Sequence, residues 1–95
     1  MVNYKLTKEA EADIIRIHQW GVSKHGETQA DEYYWKLHQR FEQLAEQPYM
    51  YSAVDDIRSG YRRSVCGVDS IYYRVVVGGV EIIRVLGHQD VVDLL

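Results

Sequence analysis

Residues 2–6 alternate between apolar and polar side chains, and a period of two is typical of a half-buried β-strand. Thr7 follows this stretch and stands just before Glu9 and Glu11. A threonine with acidic residues in the next turn is typical of a helix N-cap, because the acids favour the positive end of the helix dipole. The pattern therefore predicts a strand over residues 2–6 and a helix that starts after Thr7.

After Thr7 the apolar residues recur at spacings of three and four, which predicts two amphipathic helices. We expect the first helix to end at Gly26, a favourable C-cap, and the second to run from near Thr28 to Pro48. Because the connection is very short, the helices should fold back as an antiparallel hairpin. The predicted inward residues are Ala10, Ile14, Ile15, Ile17, Gly21 and Val22 in the first helix, and Ala30, Tyr34, Leu37, Phe41 and Leu44 in the second.

Three later segments are rich in β-branched and aromatic residues, which favour strands. They follow a connecting loop over residues 49–60 and cover residues 61–66, 71–77 and 80–86. Gly78 and Gly79 predict a two-residue hairpin turn, since glycine tolerates the positive φ that such turns need. This turn would set a register in which Val75 lies opposite Ile82 and Tyr73 opposite Arg84.

That register divides the sheet into a more apolar and a mixed face. We expect the apolar face to pack on the helices; it holds Ile71, Tyr73, Val75, Val77, Val80, Ile82, Arg84 and Leu86. The other face holds Tyr72, Arg74, Val76, Glu81, Ile83 and Val85, with Arg74 diagonal to Glu81. A mixed face of this kind would be exposed to solvent in a monomer, and such faces are often covered by a partner.

The predicted elements follow the order β-α-α-β-β-β without an internal repeat. A length of 95 residues suits a single domain over residues 1–95. The expected fold class is α+β, with a small antiparallel sheet, an N-terminal strand and an α-helical hairpin packed on one face.

Charge and composition exclude several classes of protein. The net charge of −3 argues against a main role in binding a nucleic-acid backbone, so no direct sequence-specific nucleic-acid binding is expected. The single cysteine, Cys66, allows neither an intrachain disulfide nor a zinc site of the usual spacing, which favours the cytoplasm. No secretory signal or long apolar run is present, so we expect no membrane association, and no histidine motif predicts a metal or cofactor.

Large polar-tipped rings and arginines are typical of an interface. The sequence has eight tyrosines and two tryptophans against one phenylalanine, and every basic residue after Pro48 is an arginine. Arginine forks pair with carboxylates, so the arginine-rich sheet suits an acidic peptide partner. The alternatives are that these arginines are solvated, or that Arg84 is paired inside the protein. Trp35 lies off the helical stripe, and both an interface role and edge packing remain open.

Residues 60–65, 71–75 and 81–89, in this order after two helices, make the chain resemble the RelE/ParE toxin superfamily. The family fold, a small sheet with an α-hairpin on one face, agrees with the predicted order of elements. Ribonuclease members of the superfamily cut messenger RNA on the ribosome with basic and acid/base side chains on the open sheet face and at the C-terminal end. Members of the ParE type lack that set and poison DNA gyrase.

RNA cleavage through the 2′-hydroxyl needs a base, an acid and a cation beside the phosphorane. Ser70 stands where ribonuclease members commonly carry an arginine, and no tyrosine follows Tyr73. His88 is then the one late residue that titrates near neutral pH. The resemblance therefore implies a binding-type toxin rather than an enzyme.

The resemblance implies the toxic component of a type II toxin–antitoxin system, which inhibits DNA gyrase and forms a hetero-oligomer with a neutralising ParD-like antitoxin. One alternative is a ribosome-dependent mRNA endonuclease of the RelE type, using His88 and the sheet arginines. Another is a non-toxic relative that keeps antitoxin binding alone. The candidate partner-binding residues are Trp35, Arg62, Arg63, Tyr72, Arg74, Arg84 and His88.

Overall fold

Two long helices pack on one side of a four-stranded sheet in a computed structural model that describes residues 3–87 and 91–95. The elements are β1 (Asn3–Leu6), α1 (Lys8–His25), α2 (Glu27–Glu46), β2 (Tyr61–Cys66), β3 (Asp69–Val76), β4 (Gly79–Leu86) and α3 (Val91–Leu94). The α+β class and the order β-α-α-β-β-β are therefore confirmed. In addition, α3 is a helix of four residues that the sequence pattern did not predict. In the described part of the chain, no helix has the length and apolar character that crossing a membrane requires.

The helical hairpin begins and turns where the sequence predicts. The Thr7 hydroxyl oxygen accepts a hydrogen bond from the Ala10 amide at 3.0 Å and caps α1. Gly26, at φ +88°, ends α1 and starts α2, a backbone conformation that favours glycine. The predicted inward stripes face the sheet, but Ile15 and Val22 do not belong to them. Ile15 is 58% exposed, because its position on the helix lies too far round from Ile14 to reach the core.

The strand order is β1-β4-β3-β2, with β1 parallel to β4 and the other neighbours antiparallel, so the sheet is mixed. The prediction of a Gly78–Gly79 turn is wrong, since Gly79 belongs to β4 and pairs with Val76. A Cβ on Gly79 would lie 1.7 Å from the Asn3 carbonyl oxygen, so this glycine serves the close approach of β1. Val75 consequently lies opposite Val80, two residues from the predicted partner.

A bulge in β4 then reverses the predicted faces at the end of this strand. Tyr73 pairs with Ile82 but Tyr72 pairs with Arg84, which leaves Ile83 as an extra residue. One extra residue inverts the alternation of side chains beyond it. Val85 is therefore in the core, and Arg84 and Leu86 lie on the opposite face of the sheet from the one predicted, although the Arg84 guanidinium still reaches Asp13 of α1.

The hydrophobic core lies between the helices and the inner face of the sheet. Tyr73 is its largest fully buried side chain, and its hydroxyl donates to the Pro48 carbonyl oxygen at 2.8 Å, which fixes the start of the loop after α2. The buried members of the core are Ala10, Ile14, Leu37, Phe41, Leu44, Ala45, Cys66, Ile71, Tyr73, Val80, Ile82 and Val85.

The side of the sheet that faces away from α1 and α2 is called the outer face. Three of its rows of paired residues are Tyr61–Arg74–Glu81–Lys5, Arg63–Tyr72–Arg84 and Val65–Ser70–Leu86. Arg74 lies directly opposite Glu81, and not diagonal to it as predicted. Tyr72 is only 3% exposed and Leu86 is fully buried, although neither belongs to the core cluster. The prediction that this face is open to solvent in a monomer is therefore wrong at its centre.

Candidate functional site

An open groove of about 890 Å³ lies under the tip of the helical hairpin. Its roof consists of the inward stripes of α1 and α2, where Gly21 and Ala30 meet. On the sheet side it is lined by Gly67 and Val68 in the turn between β2 and β3, by Asp69 at the start of β3, and by Gly87. The hairpin tip thus faces a turn rather than a strand, so its apolar stripe stays uncovered there.

Trp20 and Tyr33 form two aromatic walls of this groove. Trp20 is 55% exposed, and its ring lies 5.7 Å from the His25 ring in an edge-on arrangement. The Tyr33 hydroxyl lies 2.7 Å from the Asp69 carboxylate and 2.9 Å from the Cys66 carbonyl oxygen. Burial, followed by this contact with Asp69, raises the pKa of Tyr33, so its hydroxyl stays protonated and donates. The Tyr33 wall is therefore fixed, while Trp20 is free to contact a partner.

Gly67 forms part of the floor of the groove and lies against the Tyr33 ring. It adopts φ +61°, and a Cβ there would lie 2.5 Å from the Tyr33 ring. The rim carries charges of both signs, from the basic Arg16 and Lys36 and the acidic Glu32. An apolar floor with a charged rim suits an amphipathic segment whose acidic residues face the two basic side chains.

The structure brings four of the candidate residues together on the outer face. Arg63, Tyr72 and Arg84 share one row, and Arg74 stands in the next. The Arg74 Nε atom donates to the Glu81 carboxylate at 2.7 Å. Arg63 is exposed, and its Nε atom donates to the Ser70 hydroxyl oxygen at 2.9 Å.

Arg84 is paired inside the protein, as one of the sequence alternatives proposed. Its Nε and Nη2 atoms donate to the two carboxylate oxygens of Asp13 at 2.7 and 2.9 Å. The buried Asp13 carboxylate also accepts the Val85 amide at 3.0 Å, beyond the point where β1 ends. The hydrogen bonds from Arg84 to Asp13 raise the pKa of the Arg84 guanidinium. Asp13 thus completes the hydrogen bonding of the β4 edge.

The other candidates lie elsewhere. Arg62 points to the helix side, where it donates to the Tyr51 carbonyl oxygen at 2.7 Å and lies 4.9 Å from the centre of the Tyr49 ring. Trp35 is 63% exposed, and the centre of its ring lies 5.2 Å from the centre of the Tyr34 ring in an edge-on arrangement. His88 lies outside the described residues.

An aromatic cluster around His38 joins α2 to β1. Its Nδ1 atom lies 2.8 Å from the Tyr4 hydroxyl, and the rings of Tyr34 and Phe41 lie 4.6 and 5.3 Å away. Burial lowers the pKa of His38, while Glu42 opposes this shift. Within residues 3–87 and 91–95, no three His, Cys, Asp or Glu side chains converge as metal ligands. His38 packs α2 against β1, and its lowered pKa favours the neutral form of the ring.

The sequence analysis did not predict the groove. Of the seven candidate residues, six lie in the described part of the chain, and none of these six lines the groove. A signal was present in the sequence, since Gly21 and Ala30 place small side chains on the inward stripes near the hairpin turn. Small residues there leave room that larger side chains would fill.

Comparisons with known proteins agree on one family. The family model described as ParE toxin of the type II toxin–antitoxin system, parDE, matches residues 4–92. Toxin ParE1 of Caulobacter vibrioides is 40% identical over 95% of this chain and 92% of its own length. Toxin ParE1 of Mycobacterium tuberculosis is 32% identical over 95% of this chain and 93% of its own length.

A solved structure shows the same fold. It is described as the chromosomal ParDE TA system from P. aeruginosa, and it superposes with a TM-score of 0.80 at 20% identity, over 94% of this chain and 98% of that one. The matched lengths leave no large part of the chain outside the likeness. The chain therefore belongs to the ParE toxin family of type II toxin–antitoxin systems.

Proposed function

We propose that this ParE-family protein inhibits DNA gyrase by binding to it in the cytoplasm, and that a ParD-like antitoxin neutralises it in a hetero-oligomer. The observation that carries the antitoxin part is the open groove, which is apolar, about 890 Å³ in volume and walled by Trp20. An uncovered apolar surface of this kind is typical of a protein that has a partner. The names of the similar proteins, which are toxins of ParDE systems, support the same partner.

The chemistry of the groove favours an amphipathic antitoxin segment. Its apolar side would contact Trp20, Gly21 and Ala30, and its acidic side chains would face Arg16 and Lys36 at the rim. Tryptophan in a well-packed pocket often contributes most of the binding energy of an interface. We therefore propose Trp20 as the main antitoxin anchor.

Some of the candidate residues predicted from the sequence provide further surface for a partner. Arg63, Arg74 and Trp35 are exposed and can contact a partner without rearrangement. Arg62 is held at the Tyr51 carbonyl and Arg84 at Asp13, so their roles would be to support the surface. Tyr72 is buried and can contact a partner only if its cover moves.

Binding, rather than RNA cleavage, is supported by the way the outer-face arginines are used. A nuclease needs a cation that is available to the phosphorane and a base and an acid beside it. In the described part of the chain, Arg84 is bound bidentately to Asp13 and Arg74 is paired with Glu81. Ser70, at the position where ribonuclease relatives carry an arginine, is buried and bound to Arg63.

Two assays run on the same purified protein test the proposal. In the first, gyrase supercoils relaxed plasmid with and without the protein, and we expect loss of supercoiling or a trapped cleavage complex at micromolar protein. In the second, translating ribosomes are incubated with the protein, and we expect the message to stay intact. Message cut at defined codons, with the cuts abolished by His88→Ala, would instead establish the ribonuclease alternative.

A further inference from the structure

The centre of the outer face is buried although no long helix packs on it. Ser70, Tyr72 and Leu86 are buried there, while Val65, in the same row as Ser70 and Leu86, is 56% exposed. Side chains on an uncovered sheet face are exposed to water, because they point out of the plane in which the neighbouring strands lie. The Arg63 side chain lies on Ser70, whereas the burial of Tyr72 and Leu86 indicates that another segment of the chain lies over β3 and the end of β4.

Two arginines show which described segment this is. The Arg84 Nη1 atom, from β4, donates to the Leu94 carbonyl oxygen at 3.2 Å. The Arg58 Nε atom, from the turn that precedes β2, donates to the main-chain oxygen of Leu95 at 2.9 Å. In the sheet, β3 lies between β4 and β2, so a segment held from both sides lies over β3, where Tyr72 is the residue paired with Arg84.

We propose that residues 91–95 are a strap that closes over the outer face and controls access to Tyr72. The strap is held differently from the sheet beneath it. Arg58 is exposed and lies outside the core, and Arg84 gives the strap one nitrogen while its Nε and Nη2 atoms remain on Asp13. Loss of the strap contacts thus leaves the Asp13–Arg84 pair in place. Opening of the strap is a local event that does not require unfolding of the sheet.

Opening changes the chemistry that the outer face offers to a partner. With the strap closed, Tyr72 is covered and Arg84 has all three of its donor nitrogens engaged. With the strap open, a tyrosine ring lies between Arg63 and Arg84 in one row across three strands. The closed strap keeps the Tyr72 ring, at the centre of this row, out of solvent.

Thiol labelling at position 70 measures the opening. The full-length chain carries Cys66→Ser and Ser70→Cys, so that the one thiol lies at a buried position two residues from Tyr72 on the same face of β3, and the labelling rate is measured with and without Arg58→Gln. We expect Arg58→Gln to raise the rate roughly fivefold, the factor that corresponds to loss of one hydrogen bond. The matched control is Arg74→Gln, another exposed outer-face arginine, which binds Glu81 instead of the strap and should leave the rate unchanged.

Cys66 of the otherwise unchanged protein separates strap opening from unfolding. This thiol is 1% exposed and belongs to the core on the opposite face. We expect its labelling rate to stay the same when Arg58→Gln is introduced. The proposal is overturned if the rate at position 70 does not respond to Arg58→Gln, or if it rises by the same factor as the rate at Cys66.

Discussion

Asp13 and Arg84 form a buried bidentate pair, with both carboxylate oxygens accepting guanidinium hydrogens at 2.7 and 2.9 Å. The same carboxylate accepts the Val85 amide, so one side chain of α1 serves both a charge and a backbone donor of β4. β1 covers the edge of β4 only as far as Ile82. Asp13 thus accepts a hydrogen bond from a β4 amide that lies beyond the end of β1.

We predict that Asp13→Asn lowers the free energy of unfolding by about 2–4 kcal/mol, because it leaves the partly buried Arg84 without its counter-charge. Urea unfolding of the wild type and the variant measures the change. Glu11→Gln is the control, since Glu11 lies exposed on the same helix and should change stability by less than about 0.5 kcal/mol. Equal losses for the two variants would contradict a special role for Asp13.

Gly67 and Gly60 both have positive φ, at +61° and +84°, but only Gly67 lies against a side chain. We predict that Gly60→Ala costs about 1–2 kcal/mol of stability, the cost of the backbone conformation alone. Gly67→Ala should cost at least about 1 kcal/mol more, because its Cβ collides with the Tyr33 ring. Thermal or urea unfolding measures both variants, and a smaller loss for Gly67→Ala would show that Tyr33 moves aside freely.

The half-buried ring of His38 predicts a dependence of stability on pH. Its pKa in the folded protein lies below the ordinary value of 6.5, so the unfolded chain binds the proton more readily. The contribution of neutral His38 is therefore fully present above about pH 6.5 and is lost as the pH falls towards the folded-state pKa. We expect His38→Gln to remove part of the stability loss between pH 7.5 and pH 5 in urea unfolding.

Gln39→Ala is the control for this pH series. Gln39 is an exposed, non-titrating neighbour of His38 on α2, so its removal should leave the slope of stability against pH close to that of the wild type. Identical slopes for His38→Gln and the wild type would contradict the assignment of the pH dependence to the Tyr4–His38 cluster.

Trp20 is predicted to dominate antitoxin binding. We expect Trp20→Ala to weaken binding of the ParD-like antitoxin at least about tenfold in calorimetry, because the ring is a wall of the groove. Ile15→Ala is the matched control, since Ile15 is equally exposed on α1 but does not line the groove. The antitoxin lies elsewhere if both variants bind as the wild type does.

The sequence predicts the parts of the fold that local physical chemistry determines. Thr7 and Gly26 mark the ends of α1 because capping depends on the few residues around a helix end. The Gly78–Gly79 turn was misplaced because the closeness of β1, which requires Gly79, depends on a strand far away in the sequence. The bulge at Ile83 has no local signal, and it alone reverses the faces of Arg84 and Leu86.

The candidate site was predictable only in part, for a related reason. The sequence places Tyr72 and Arg74 on the face that the structure shows to be the outer one, because alternation along a strand is local. The cover over Tyr72 and the groove beneath Trp20 both depend on how separate elements meet, so the side-chain pattern of one element does not show them.

The most direct test of the proposed function is gyrase supercoiling measured with this protein in the presence and absence of its ParD-like antitoxin. We predict that the protein alone stops supercoiling, that an equimolar amount of antitoxin restores it, and that antitoxin restores it far less well against Trp20→Ala. Full supercoiling at micromolar protein without antitoxin would contradict the proposal that this ParE-family protein acts on gyrase.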